Sequence, residues 1–453
     1  MNTKFFKYII PALSLVFSVN FTSCLGDLDV TPIDPNLNVE FDQNANFAKI
    51  YAGLAITGNK GPDGQGDIAD TDEGASGLMR MLFNLNELPT DEAICAWSGD
   101  VDVYPLNFAK FTASNGVVLN MFNRLYIQIA QCNNFLIQTE GKDDEESLTQ
   151  RAEVRFIRAL DYYYLIDLYG NVPFVDENTG IGTYVPERIT RANLYTYIEK
   201  ELKEIEPQMK APRANVYGRA DQAAVWMLLS RLYLNAEVYT GDPQWNACIQ
   251  ECDDIINSGK YSLDINYSDP FKAHNENSLE NILVIPYDEI FATGFNYHLA
   301  ALHGANQNTY DLVGSPWGAG AYKGIPQFID TYDPDDERLN ATWLGGPQYA
   351  SDRTPLSGSY DLMGQPLIFV NKMPNGIFTG EAEGYRWLKY EVELEARSEL
   401  NNDLVLFRLT QVHMMKAECL LRTGKADQAA SIVSMVRKRA FKEHPEKAIV
   451  SGA

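Results

Sequence analysis

Trp97 and Trp317 are the residues whose setting points most directly to chemistry. Trp97 closes the run DEAICAW and is followed by Ser98, Gly99 and Asp100, and Trp317 sits in GSPWGAG at 314–320. Neither indole joins a helical or strand-like apolar stripe. A Trp among Gly, Ser and Pro either packs under a loop or shows a flat apolar face to a ligand. A flat face suits the C–H faces of pyranose rings and costs little side-chain entropy. On the residues alone both readings stay open. The chain has six Trp. Trp226 lies in an Ala/Leu-rich helix and reads as core. Trp245 opens a helix and reads as packing between helix pairs. Trp343 and Trp387 flank strand-like or turn segments.

Other chemistries find less support. No HExxH, GxSxG or Walker pattern occurs, and His274, His298, His303, His413 and His444 are scattered. With 61 Asp and Glu, two carboxylates at glycosidase spacing are bound to occur, so such a pair carries no information. The stretch Asp63, Asp67, Asp70, Asp72, Glu73 departs from the calcium-loop spacing at Gln65 and reads as a hydrated polar loop. Asp333, Asp335, Asp336 and Glu337 read the same way. Cys248 and Cys252 stand at i, i+4 on a helix with no ligand pair near them, so they read as buried small hydrophobes. No metal or cofactor is expected.

Long amphipathic helices must position whatever the loops carry. In 144–169, Phe156, Ala159, Leu160 and Tyr163 form a helical apolar stripe, with Arg151, Arg155 and Arg158 on another face. Asp143 and Glu146 suggest a capping box, and Gly170 stops the helix. The spacing predicts helix pairs at about 43–58/116–140, 144–169/191–206, 219–239/244–257 and 403–423/425–441. GRADQAA at 218–224 and GKADQAA at 424–430 are similar. Short turns, Ala at close contacts and interleaved aromatics suggest tetratricopeptide-type pairs. Residues 60–115 and 262–400, rich in Gly, Pro, Asp, Asn and Tyr, read as functional loops.

The first 23 residues have Lys4 and Lys7 ahead of an apolar run from Tyr8 to Val19, then Phe21-Thr22-Ser23 before Cys24. This is the layout of a secretory signal cleaved to expose a cysteine for lipid attachment. The run is too short to cross a bilayer, which takes about 20 residues. Residues 24–453 then form one tethered domain outside the cytoplasm. The formal charge of −24 disfavours nucleic acid and anionic lipid surfaces, so attachment falls to lipid on Cys24.

Several segments, taken in order, carry a resemblance: CLGDLDVTPIDPN at 24–36, RAEVRFIRALDYYYLIDLYGNVPFV at 151–175, FIDTYDPDDERL at 328–339, DLVLFRLTQVHMMKAECLLRTG at 403–424 and VRKRA at 436–440. The chain resembles the SusD/RagB family of glycan-binding outer-membrane lipoproteins of Bacteroidetes. Residues 41–97 and 218–241 look similar to its starch-utilising member. The resemblance implies a mostly α fold, with four tetratricopeptide-like helix pairs supporting a loop-rich glycan-binding face. It implies nutrient uptake without catalysis: a lipid-anchored protein on the extracellular side of the outer membrane, acting as a lid on a SusC-like TonB-dependent transporter.

The resemblance also implies site residues. An aromatic arc cradling an α-glucan falls on Trp97, Tyr297 and Trp317, and polar positions near it fall on Arg80, Asp72 and Asp100. Asp100 stands where the starch-binding member has Asn. An ionised Asp only accepts, which leaves room for another α-glucan such as dextran. On residues alone Arg80 is equally a surface salt bridge. His298, beside Tyr297, is not assigned to the face. The rival classes are a helical glycoside hydrolase and a purely structural lid. Family chains continue beyond the VRKRA helix through a further segment that packs on the scaffold.

Overall fold

The computed structural model describes residues 41–452 except 59–64, 70–73, 75 and 180–184. The chain divides into two units, Met1–Gln43 and Asn44–Ala453; the second carries the scaffold and the candidate site. Cys24 and Asp72, with Asp63, Asp70 and Glu73 of the acidic stretch, lie outside the described residues.

The long helices are α1 (Gln43–Ala55), α2 (Leu78–Asn86), α3 (Gly116–Gln138), α4 (Glu145–Leu168) and α5 (Arg191–Ile205), followed by α6 (Gln222–Leu234), α7 (Trp245–Asn257), α8 (Leu409–Arg422) and α9 (Ala426–Arg437). α4 shows how sequence makes one of them. Asp144 caps it, accepting from the Ser147 N–H at 2.9 Å, one residue later than the expected cap at Asp143. Glu145 and Glu146 then sit in the first turn, where the helix dipole favours negative charge. Gly170, at φ +77°, ends it in the left-handed conformation that glycine adopts freely.

α4 packs between α3 and α5. Phe156, Ala159, Leu160 and Tyr163 are buried, and each fully buried large apolar side chain contributes about 1.5–3 kcal/mol. Part of the arginine-bearing face is buried too, while Arg151 and Arg155 are half-buried. Arg158 is 1% exposed and pairs with Glu201 of α5 at 2.9 Å and with Glu177. Glu153, fully buried, takes both arms of Arg219 at 2.6 and 2.9 Å and the Tyr51 hydroxyl at 2.6 Å. These ions are tolerated because each is matched and hydrogen-bonded.

The helices α6, α7, α8 and α9 pack successively. Cys248 and Cys252 of α7 and Cys419 of α8 are fully buried. Trp245 opens α7 and receives the Arg422 guanidinium of α8 over its ring at 4.7 Å. Trp226 is partly buried, and its indole N–H donates to Glu206 at 2.7 Å. α1 meets α3 through the Phe47 and Phe135 rings, 6.0 Å apart, and through Gln128, whose amide donates to the Ile50 carbonyl at 2.5 Å.

Three boundaries differ from expectation. The helix expected at 219–239 divides at Asn235 into α6 and the short helix Ala236–Thr240. The expected 403–423 helix begins as a strand, Leu404–Arg408, before α8. The similar segments at 218–224 and 424–430 start their helices differently. Asp221 caps α6 by accepting from Ala224 N–H at 3.2 Å, whereas the cap of α9 is Lys425 with no side-chain bond.

The sheets are small. β1 (Ala93–Cys95), β3 (Tyr322–Gly324), β5 (Arg386–Trp387) and β4 (Trp343–Leu344) form an antiparallel sheet in that order. β2 (Asn281–Ile285) pairs antiparallel with β6 (Leu404–Arg408), which runs directly into α8. Asp333 and Asp335 lie on a solvent-exposed turn, and with Glu337 they make surface ion pairs. They bind Lys447 at 2.8 and 2.5 Å and Lys442 at 2.9 Å. Asp336, 3% exposed, caps a helical turn and pairs with Arg338. Among the described residues no helix is long and apolar enough to cross a membrane, and no cluster of His, Cys, Asp or Glu is arranged to hold a metal.

Candidate functional site

The β1–β3 pairing brings the two loop tryptophans together. Cys95 pairs with Tyr322, and one residue on the Ala96 N–H donates to the Ala321 carbonyl at 2.9 Å. The chain then leaves β1 through Trp97. Asn107 fixes this exit, bonding both the N–H and the carbonyl of Cys95, at 2.9 and 2.8 Å. On the other side, the Trp317 N–H donates to Leu299 at 2.7 Å, and the Ala321 N–H donates to Ala300 at 2.6 Å. Gly320 has φ +76°, and a Cβ there would stand 2.3 Å from the Ala301 carbonyl. That position needs glycine both for its dihedral and for its close approach to backbone.

The Trp97 and Trp317 ring centroids are 5.9 Å apart, with their planes inclined at 44°. Both residues are partly buried. Arg80 of α2 lies against both, its guanidinium carbon 5.3 Å from the centre of Trp317 and 5.9 Å from that of Trp97. It also donates to the Gly74 carbonyl at 3.2 Å. Arg80 is only 9% exposed, so it is a buried support for the rings. Behind them lies Tyr322, 6.2 Å from Trp97 and 4.6 Å from Phe83. Burial pushes its phenol up to about 12, against the opposing effect of Arg80.

Two of the expected site residues have other roles. Tyr297 is 6% exposed, and its hydroxyl donates to the Met79 carbonyl at 2.7 Å. Its ring packs on Phe83 at 5.3 Å and Trp387 at 4.9 Å. It therefore sits in the aromatic layer beneath the tryptophan face and is no third member of an open arc. Burial raises its phenol well above the ordinary value. Asp100 is partly buried and shapes the loop after Trp97: Oδ1 accepts from the Asp102 and Val103 N–H groups at 3.0 and 2.8 Å. His298 is 2% exposed, and burial holds its imidazole neutral, down to about 3.

Sequence reasoning missed the residues that fasten the Trp317 loop. Arg386 is fully buried, and its guanidinium donates to the Ala319 carbonyl at 3.2 Å and stacks on Phe369 at 4.1 Å. Burial brings it down to about 9. Nearby, Glu381 accepts from His303 Nε2 at 2.9 Å and from the Ser359 N–H at 2.8 Å. Gly304 N–H donates to Gly318 at 2.8 Å. An Arg after a turn carries no sequence mark that separates burial from exposure.

Comparison with known proteins places this architecture. A family model described as starch-binding and associating with the outer membrane matches residues 28–234, and one described as the SusD family matches 257–449. The chain belongs to the SusD/RagB family. It is 44% identical to the starch-binding protein SusD of Bacteroides thetaiotaomicron, over 97% of this chain and 85% of that one. It is 24% identical to SusD-like protein P25 of Formosa agariphila, over 76% of this chain and 66% of that one. Among solved structures, surface glycan-binding protein A of B. thetaiotaomicron with laminarihexaose matches at TM-score 0.67 and 20% identity, covering 88% and 82% of the two chains. A SusD-like carbohydrate-binding protein of Bacteroides fragilis matches at TM-score 0.65 and 20% identity, covering 88% and 78%. These establish the SusD-like, mostly α fold.

Proposed function

We propose that this protein is a surface glycan-binding lipoprotein that captures an α-glucan and delivers it to a SusC-like TonB-dependent transporter, breaking no bond. The observation that carries this reading is the Trp97–Trp317 pair, inclined at 44° over Arg80. Two tilted rings seat successive sugars of a chain that turns as it runs, as an α-1,4 glucan does. A straight β-glucan fits a flat row better. Arg80 holds the pair, and the second carboxylate oxygen of Asp100 is the acceptor we assign to a sugar hydroxyl at its edge. The 44% identity to a protein named for starch binding supports starch or maltooligosaccharides as the glycan. Fold alone does not choose, since the laminarihexaose complex has the same fold. Lipid on Cys24, facing outward from the outer membrane, completes the reading.

Affinity electrophoresis against α-glucans, including starch and dextran, and against β-glucans and fructans tests it. Retardation in α-glucan gels that is lost in Trp97→Ala and Trp317→Ala is the expected result. Equal migration of wild type and both variants overturns the site. New reducing ends on incubation with starch or dextran would make the protein a hydrolase.

A further inference from the structure

A pocket that shares no lining residue with the Trp97–Trp317 pair lies beside the aromatic layer. It encloses about 400 Å³ and is lined by α2, Tyr164, Arg231, Trp387, Lys389 and the β6 strand with Arg408. That volume lies within the range of small-ligand sites. Exposed Asn86 is among its lining residues, so it reaches solvent. Tyr297, which the family resemblance directs to the glycan face, lines this pocket instead, as does Phe83.

Its charge is opposite to that of the chain. The protein has 61 Asp and Glu against 37 Lys and Arg, yet three cations and one carboxylate, Glu87, line this pocket. Arg408 shares Glu280 with Arg439. Among the described residues neither Arg231 nor Lys389 forms an ion pair with a carboxylate. Lys389 lies 4.7 Å from the centre of Phe271, and Arg231 lies 5.1 and 5.5 Å from the centres of Tyr163 and Phe407, with a hydrogen bond to the Tyr163 side chain and the Asp167 carboxylate acting on it. Arg408 lies over the same Phe271 ring at 5.0 Å. For Lys389 the Phe271 face repays only part of the hydration a sheltered cation loses.

Lys389 acts on two neighbouring groups, and at Tyr267 the cations prevail. Burial should raise the phenol of Tyr267, but Lys389, Arg408, a Thr342 contact and Arg338 bring it below its ordinary value. Glu87 is raised by burial and by Glu92, with Lys389 opposing.

We infer that this pocket binds a small oxyanion carried on a pyranose ring, the chemistry shared by uronic acids and sulfated sugars. The oxyanion pairs with Lys389 and Arg231, and the ring lies against Trp387. The site is separate from the Trp97–Trp317 face and does not depend on what that face binds.

Isothermal titration of the full chain with glucuronate, glucose 6-sulfate and glucose, at matched ionic strength, tests this. Binding of glucuronate or the sulfate without glucose is expected, and which of the two binds identifies the oxyanion. Lys389→Met should weaken it about tenfold or more, with Arg231→Met doing the same. Maltohexaose, titrated in parallel, should be unaffected by Lys389→Met and should bind poorly to Trp317→Ala. No binding of either anion, equal binding of glucose, or undiminished anion binding by Lys389→Met overturns the inference.

Discussion

The Tyr322 hydroxyl donates to Asn84 Oδ1 at 2.8 Å, across 238 residues of sequence. The bond ties β3 to α2, the helix that carries Arg80. One strand therefore sets the Trp97 exit through its pairing with β1, while its tyrosine fixes the helix supporting both indoles. The open face is thus built on a core that does not adjust independently of it.

Removing either indole should cost about 2 kcal/mol of α-glucan binding, as for a central aromatic anchor. Titration of maltohexaose into Trp97→Ala and Trp317→Ala, with melting temperature as a fold control, measures it.

Arg80→Met should keep the volume under the rings but remove the cation. A desolvated cation–π contact is worth about 2 kcal/mol, and here one guanidinium serves two rings. A drop in maltohexaose affinity, with altered tryptophan emission, is the expected outcome. Unchanged affinity would leave Arg80 a structural residue only.

Tyr297→Phe separates the layer from the face. It deletes the bond to the Met79 carbonyl and should lower stability by about 1 kcal/mol, read by denaturant unfolding. Maltohexaose affinity should stay at the wild-type value. A large loss of affinity would put Tyr297 back into contact with the glycan.

Acid should unfold the protein partly through Glu280. Its carboxylate is fully buried and bonded to Arg439, Arg408 and Thr410. Burial raises it, but the two arginines and the threonine outweigh that and leave it below the usual 4.5. A folded-state value below the unfolded one means stability that is fully present above about pH 4.5 and lost as pH falls through the lower folded value. Glu280→Gln should lower the melting temperature at neutral pH, because it strands two arginines, at a cost of about 3–5 kcal/mol. The gap from wild type should narrow as pH falls below 4.

Legibility in the sequence followed how local each determinant is. The α4 stripe and its Gly170 stop are local, and both are visible. The strand Leu404–Arg408 is not, because its pairing with Asn281–Ile285 is decided by distant chain and its apolar residues suit either element. The partner of Asp333 and Asp335 was not legible, because Lys447, which binds them, stands over a hundred residues away. Trp97 and Trp317 were legible as loop aromatics. That Tyr297 turns inward was not, since only the Met79 carbonyl and the rings of Phe83 and Trp387 decide it.

The bonds that fix the face span 218 residues from Met79 to Tyr297 and 238 from Asn84 to Tyr322. Contacts of that reach carry the entropy cost of ordering the long loops between them. The Trp97–Trp317 pair and its supports are therefore brought together only in the fully folded chain. By mass action a bound oligosaccharide then stabilises the whole fold rather than one loop. Ligand-induced protection should reach amides deep in the helical scaffold.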